Sequence, residues 1–194
     1  MKSIDKLTKN EYIINKSRFI TYLVPINSID EIENNFKKVK IEYKDATHHC
    51  YAYILDNVKR FSDDGEPGGT AGMPILNVLE QNELNHILCI VVRYFGGIKL
   101  GAGGLVRAYT NSVSECIECS NIIELINGVQ IEITFNYDNV KQIDYILKDY
   151  EIVNKRYEEN IIYLFNSPTN TDIKEKLNNY VIKFEEKENI LIKN

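Results

Sequence analysis

The chain has 194 residues, 44% of them hydrophobic and 26% charged, with a net charge of −5. That is enough apolar material for a proper core and excludes a disordered chain. No apolar run approaches the roughly 18 residues of a membrane span. The acidic balance excludes bulk attraction to nucleic acid and leaves only a local basic patch for that role.

In chain order, residues 11–15 and 19–26 read as strands of β-branched and aromatic residues, ended by Pro25 and Asn27. Ser28 or Asp30 caps a helix to about Tyr43, with Ile29, Ile32, Phe36, Val39 and Tyr43 along one face. Residues 49–55 read as a strand and 61–70 as a loop. Thr70 then caps a short helix with Pro74 in its first turn, running to about Gln81. Residues 87–95 are apolar nearly throughout, as in a central strand covered on both faces. A second loop, 96–104, leads into a helix over 105–119. Asn127-Gly128 is a turn signal and marks the expected domain boundary. Beyond it come a strand (129–135), a helix (140–150), a hairpin (152–157 and 160–165), a helix (169–178) and closing strands (180–184 and 190–192). That β-α-β-β-α-β order is the ferredoxin-like pattern. The expectation is an α+β protein with domains at 1–127 and 128–194.

Glycine locates the chemistry. Nine of the 10 glycines lie between Gly65 and Gly104, in two loops. The first runs Asp63-Asp64-Gly65-Glu66-Pro67-Gly68-Gly69-Thr70-Ala71-Gly72. Asp63, Asp64 and Glu66 are candidates for a cation site or a general base, with His48 beside them; the alternative is an exposed acidic turn. No known metal template fits, so no metal is assigned. The second loop runs from Arg93 and Tyr94 through Gly96, Gly97, Lys99, Gly101, Gly103 and Gly104 to Arg107. No Asp or Glu occurs between His86 and Ser114. A Gly-rich entrance to a helix offers backbone N–H groups to an anion, and Arg93, Lys99 and Arg107 add positive charge. Tyr94, Phe95 and Tyr109 offer faces for stacking. The spacing matches neither a P-loop nor a dinucleotide fingerprint, and a tight strand–helix junction is the alternative.

Three other features weigh less. His48-His49-Cys50 places at most one histidine on the face of Cys50. Cys116-Ile117-Glu118-Cys119 has no second pair and lies near a helix C-terminus, which suits neither zinc nor redox work. Four cysteines are too few to staple this length, and residues 1–6 lack a signal-peptide core, so a cytoplasmic chain with free thiols is expected.

The two Gly-rich loops, with Ala108-Tyr109, Ser17-Arg18-Phe19-Ile20, Ala46-Thr47-His48 and Cys50-Tyr51-Ala52-Tyr53, resemble the Impact / YigZ family over about the first 125 residues. Met73 departs from that pattern, at a position where a basic residue is expected. The resemblance implies an N-terminal domain of the ribosomal-protein kind, similar to domain IV of elongation factor G. It implies a ferredoxin-like C-terminal domain similar to that factor's domain V. Eukaryotic relatives act in translational control through an additional N-terminal domain, which this chain is expected to lack. The leading expectation is a translation-associated regulatory protein that binds RNA or the ribosome, without a cofactor or a membrane. The rivals are a metal-assisted enzyme on a phosphorylated small molecule and a protein-binding regulatory module.

Overall fold

Alternating β-branched and aromatic residues near the N-terminus build an antiparallel ribbon. The computed structural model describes residues 1–169 and 171–194. A short strand β1 (Lys2–Ile4) precedes β2 (Thr8–Ile14) and β3 (Ser17–Pro25). The two-residue loop between β2 and β3 holds Asn15 and Lys16 at φ 47° and 64°, the left-handed geometry of a tight hairpin. Helix α1 (Ile29–Glu42) starts at Ser28, whose hydroxyl accepts from the Glu31 N–H, as the sequence predicts. Strands β4 (His48–Leu55) and β5 (Val58–Ser62) form a second hairpin across Asp56-Asn57. β5 was not expected; its residues are mostly exposed on a sheet edge, so the apolar alternation that marks a strand is missing.

Helix α2 (Gly72–Gln81) leads to β6 (Ile87–Tyr94), the middle strand of a sheet ordered β2-β3-β6-β4-β5, antiparallel throughout. The uniformly apolar run of β6 follows from its position. Cys89 and Val91 pack in the cluster with α2 and with helix α3 (Gly101–Glu118), while Leu88, Ile90 and Val92 pack in the cluster with α1. Burying each such side chain is worth about 1.5–3 kcal/mol. Helix α3 begins four residues before the expected start, so Gly101, Gly103 and Gly104 belong to its first turn and not to a loop. Their poor helix propensity hid that start.

The next strand, β7 (Ile122–Phe135), runs through the expected turn at Asn127-Gly128. Gly128 serves packing: a Cβ there would lie 3.0 Å from Ile192 and from the Ser167 carbonyl. The chain divides into compact units Met1–Glu124 and Leu125–Asn194. In the second unit, a 3-10 turn (Tyr137–Asn139) and α4 (Val140–Ile146) precede the hairpin β8 (Glu151–Tyr157) and β9 (Ile161–Pro168). Then come α5 (Ile173–Leu177), shorter than the helix expected over 169–178, and β10 (Lys183–Lys193). Residue 170 of that expected helix lies outside the described residues. The two closing strands expected are one, with an irregularity between Glu186 and Asn189. The sheet order is β10-β7-β9-β8, again antiparallel, over a core that includes Phe135, Ile143, Tyr163, Phe165 and Leu177. No helix among the described residues is long and apolar enough to cross a membrane.

Candidate functional site

The acidic loop leaves β5 and enters α2, and its three carboxylates have three different partners. Asp63 Oδ1 accepts from the Ala71 and Gly72 N–H groups at 3.0 and 2.8 Å, and Oδ2 accepts from the Gly69 N–H at 2.8 Å. Asp63 therefore satisfies donors at the start of α2, the role expected of Thr70, whose hydroxyl instead donates to the Pro67 carbonyl at 2.7 Å. Burial pushes the Asp63 carboxyl up, but the three N–H donors outweigh it and hold the group below its ordinary value. Asp64, at φ 42°, accepts from the His49 N–H at 2.6 Å, and its carbonyl accepts from His48 Nδ1 at 2.8 Å.

Glu66 turns inward and is only 8% exposed. Its Oε1 accepts from Arg93 Nη1 at 2.6 Å and from the Tyr109 hydroxyl at 2.8 Å; His48 Nε2 lies 3.7 Å from Oε2. The Cys50 thiol donates to the Asp63 carbonyl at 3.0 Å and sits 3.3 Å from the Tyr109 hydroxyl. Burial, reinforced by the neighbouring carboxylates, pushes this thiol up to about 12, so it stays protonated at neutral pH. His48 shares the face of Cys50, whereas His49 points away and donates from Nε2 to the Tyr43 carbonyl at 3.0 Å. Among the described residues no group of three or more His, Cys, Asp or Glu could hold a metal ion. Asp63, Asp64 and Glu66, the candidates for a cation site or a general base, are engaged in this structure by backbone donors and by Arg93.

The second loop divides differently from expectation. Arg93 was expected in the basic patch, yet it is 5% exposed and its charge is matched by Glu66. Its guanidinium lies 5.4 Å from the Phe19 ring and 5.6 Å from the Phe95 ring, and its Nε has no hydrogen-bond partner. The Tyr94 hydroxyl donates to Asp45 at 3.0 Å, and Arg18 covers the ring at 5.5 Å, so this ring is engaged rather than free for stacking. What remains outside is the stretch from Phe95 to Arg107. Thr47 Oγ1 accepts from the Phe95 N–H at 3.0 Å and Ser17 Oγ from the Gly96 N–H at 3.1 Å, which pins the loop. Gly96 is required by contact: a Cβ would lie 2.0 Å from the Lys16 backbone carbon. Gly97 and Gly101 need positive φ, 83° and 69°, in open space.

Lys99 and Arg107 are both exposed, and neither forms an ion pair among the described residues. The first turn of α3 has no side-chain cap, and Gly103 leaves its outer surface bare, with Arg107 Nη1 4.0 Å from where a Cβ would be. Uncapped N–H groups beside two free cations form an electropositive helix start, suited to an anion. Phe95, Ile98 and Val106 expose apolar surface on the same stretch, and Met73, at the start of α2, is 40% exposed. Ser17, Thr47 and Tyr109 hold both loops in place. All three stand in the motifs that carry the family resemblance, but the hydrogen bonds they make gave no sequence signal; the Tyr109 ring, expected to offer a stacking face, is instead fully buried.

Residues 15–117, which span both loops, match the model of the Impact N-terminal domain. The chain is 37% identical over 164 residues to the Bacillus subtilis IMPACT family member YvyE, covering 82% of this chain and 76% of that relative. It is 36% identical over 152 residues to the Escherichia coli IMPACT family member YigZ, covering 75% and 74%. A crystal structure of a hypothetical protein superposes with a TM-score of 0.65 at 30% identity, over 92% of this chain and 91% of that one.

Proposed function

The chain belongs to the Impact family, and from that premise we propose that it is a translation-associated regulatory protein of the cytoplasm that engages RNA or a ribosomal site. The contact surface is the stretch Phe95–Arg107, with Lys99, Arg107 and the backbone of Gly97, Gly101, Gly103 and Gly104 meeting phosphate. The single observation that carries this reading is the uncapped, acid-free start of α3 flanked by two unpaired cations. Arg93 and Glu66 form the support beneath it.

The domain types follow the same reading. The first domain, residues 1–127, is of the elongation-factor-domain-IV kind. The second, residues 128–194, is ferredoxin-like and similar to domain V; its β-α-β-β-α-β order and its own core support this. The compact units divide three residues earlier, after Glu124. A metal-assisted enzyme is the weaker reading, because Asp63, Asp64 and Glu66 are each occupied by internal donors.

Co-sedimentation with purified ribosomal subunits at low salt tests the proposal. The protein should pellet with the subunits, and the double variant Lys99→Ala/Arg107→Ala should stay in the supernatant. A variant that pellets like the parent would contradict it.

A further inference from the structure

The outward side of α1 carries a feature that neither loop explains. Glu33, Phe36, Lys37, Lys40 and Ile41 of α1, at helical spacing, together with Lys44 just past its end and His49 of β4, line an open groove of about 600 Å³. Its apolar part is formed by Ile41, 67% exposed, and by Phe36, which packs edge-on against Tyr51 with centroids 4.9 Å apart.

Its rim is positive. None of Lys37, Lys38, Lys40 and Lys44 forms an ion pair among the described residues. Of the nearby acids, Glu33 lines the groove itself, while Glu42 and Asp45 are engaged elsewhere. Glu42 accepts from the Tyr22 hydroxyl at 3.1 Å and lies 3.6 Å from Lys9, and Asp45 accepts from Tyr94 at 3.0 Å. A chain of net charge −5 thus concentrates uncompensated ammonium groups around exposed hydrocarbon.

We propose that this groove docks an acidic segment of another protein, with an apolar anchor seated on Phe36 and Ile41 and carboxylates pairing Lys37, Lys40 and Lys44. Charge complementarity sets the occupant's sign and steers its approach. The lysine stems extend the apolar floor while their heads reach the partner's acids. Nucleic acid fits less well. Stacking needs a broad open aromatic face, whereas the groove's most exposed apolar group is the aliphatic Ile41 and Phe36 is only partly exposed against Tyr51. Glu33 at the opposite end sets a direction, with the occupant's acids toward Lys44.

This surface lies on α1, apart from Phe95–Arg107, and stands whether or not that stretch binds RNA. The test is selection from a random displayed peptide library on the immobilised full chain, followed by fluorescence anisotropy of the best peptide. Enriched peptides should place Asp or Glu around a Leu, Ile or Phe. Lys40→Ala/Lys44→Ala should weaken the best peptide about tenfold or more, and Ile41→Ala should weaken it independently. Lys141→Ala, on α4, should leave that peptide's affinity unchanged. All these side chains are exposed, so melting temperatures should stay at the parent value and report folding. Enrichment without acidic bias, binding indifferent to the lysine variant, or displacement of the peptide by single-stranded RNA would each overturn the proposal.

Discussion

A single carboxylate organises the entrance to α2. Asp63 accepts three backbone N–H groups, so Asp63→Ala should lower stability by about 1–2 kcal/mol, the usual loss for a helix-start cap. The pH dependence follows from the depressed folded value: the contribution is complete above the unfolded carboxyl pKa of about 3.9 and disappears as pH falls through the lower folded value. Urea titrations should show the gap between parent and variant closing in acid. The cysteines divide by burial. Cys119 is exposed, whereas Cys50, Cys89 and Cys116 are buried, so a thiol reagent at neutral pH should label Cys119 in the native protein and the others only after unfolding. At this scale the sequence revealed which residues are unusual and not what they touch. Asp63, Asp64, Glu66 and His48 stand out from composition alone. Their partners are backbone amides and Arg93, brought close only by folding.

At the scale of elements, two junctions hold both loops to the sheet. The buried Glu66–Arg93 pair with Tyr109 ties the acidic loop to β6 and α3. Removing one member of a buried ion pair leaves the other uncompensated, so Glu66→Ala should cost about 3–5 kcal/mol in denaturant unfolding. Tyr109→Phe, which loses the hydrogen bond to Glu66 and the contact with the Cys50 thiol, should cost about 1–2 kcal/mol. At the end of β6, Gly96 crosses the β2–β3 turn. The atom met by a Cβ there is backbone and cannot rotate away, so Gly96→Ala should destabilise by about 3 kcal/mol or more. Elements with strong periodicity were legible: α1 with its Ser28 cap, β6, and the order of the second unit. Those whose residues carry two meanings were not. Glycine signals a loop, yet Gly101, Gly103 and Gly104 open a helix and Gly128 sits inside a strand, where close packing demands it.

For the whole molecule, the three buried clusters, two in the first unit and one in the second, leave an acidic chain free to present localised positive surface. Each unit buries its own apolar set, which leaves charge free to segregate on the exterior. In the first unit the acids near Arg93 are consumed internally, while Lys99 and Arg107 are left outside without partners. The absence of Asp and Glu between His86 and Ser114 made that stretch legible in advance. The burial of Arg93 was not, because nothing in its neighbours distinguishes an inward arginine from an outward one. The measurement that bears most directly on the proposed role is the salt dependence of binding to single-stranded RNA. Each phosphate contact by a cation contributes about −0.7 to the slope of log affinity against log salt. The parent protein should bind at low salt, and Lys99→Ala should flatten the slope by about that amount with the fold intact. No RNA affinity at low salt, or an unchanged slope and affinity in Lys99→Ala, would contradict the account and make the start of α3 a structural junction.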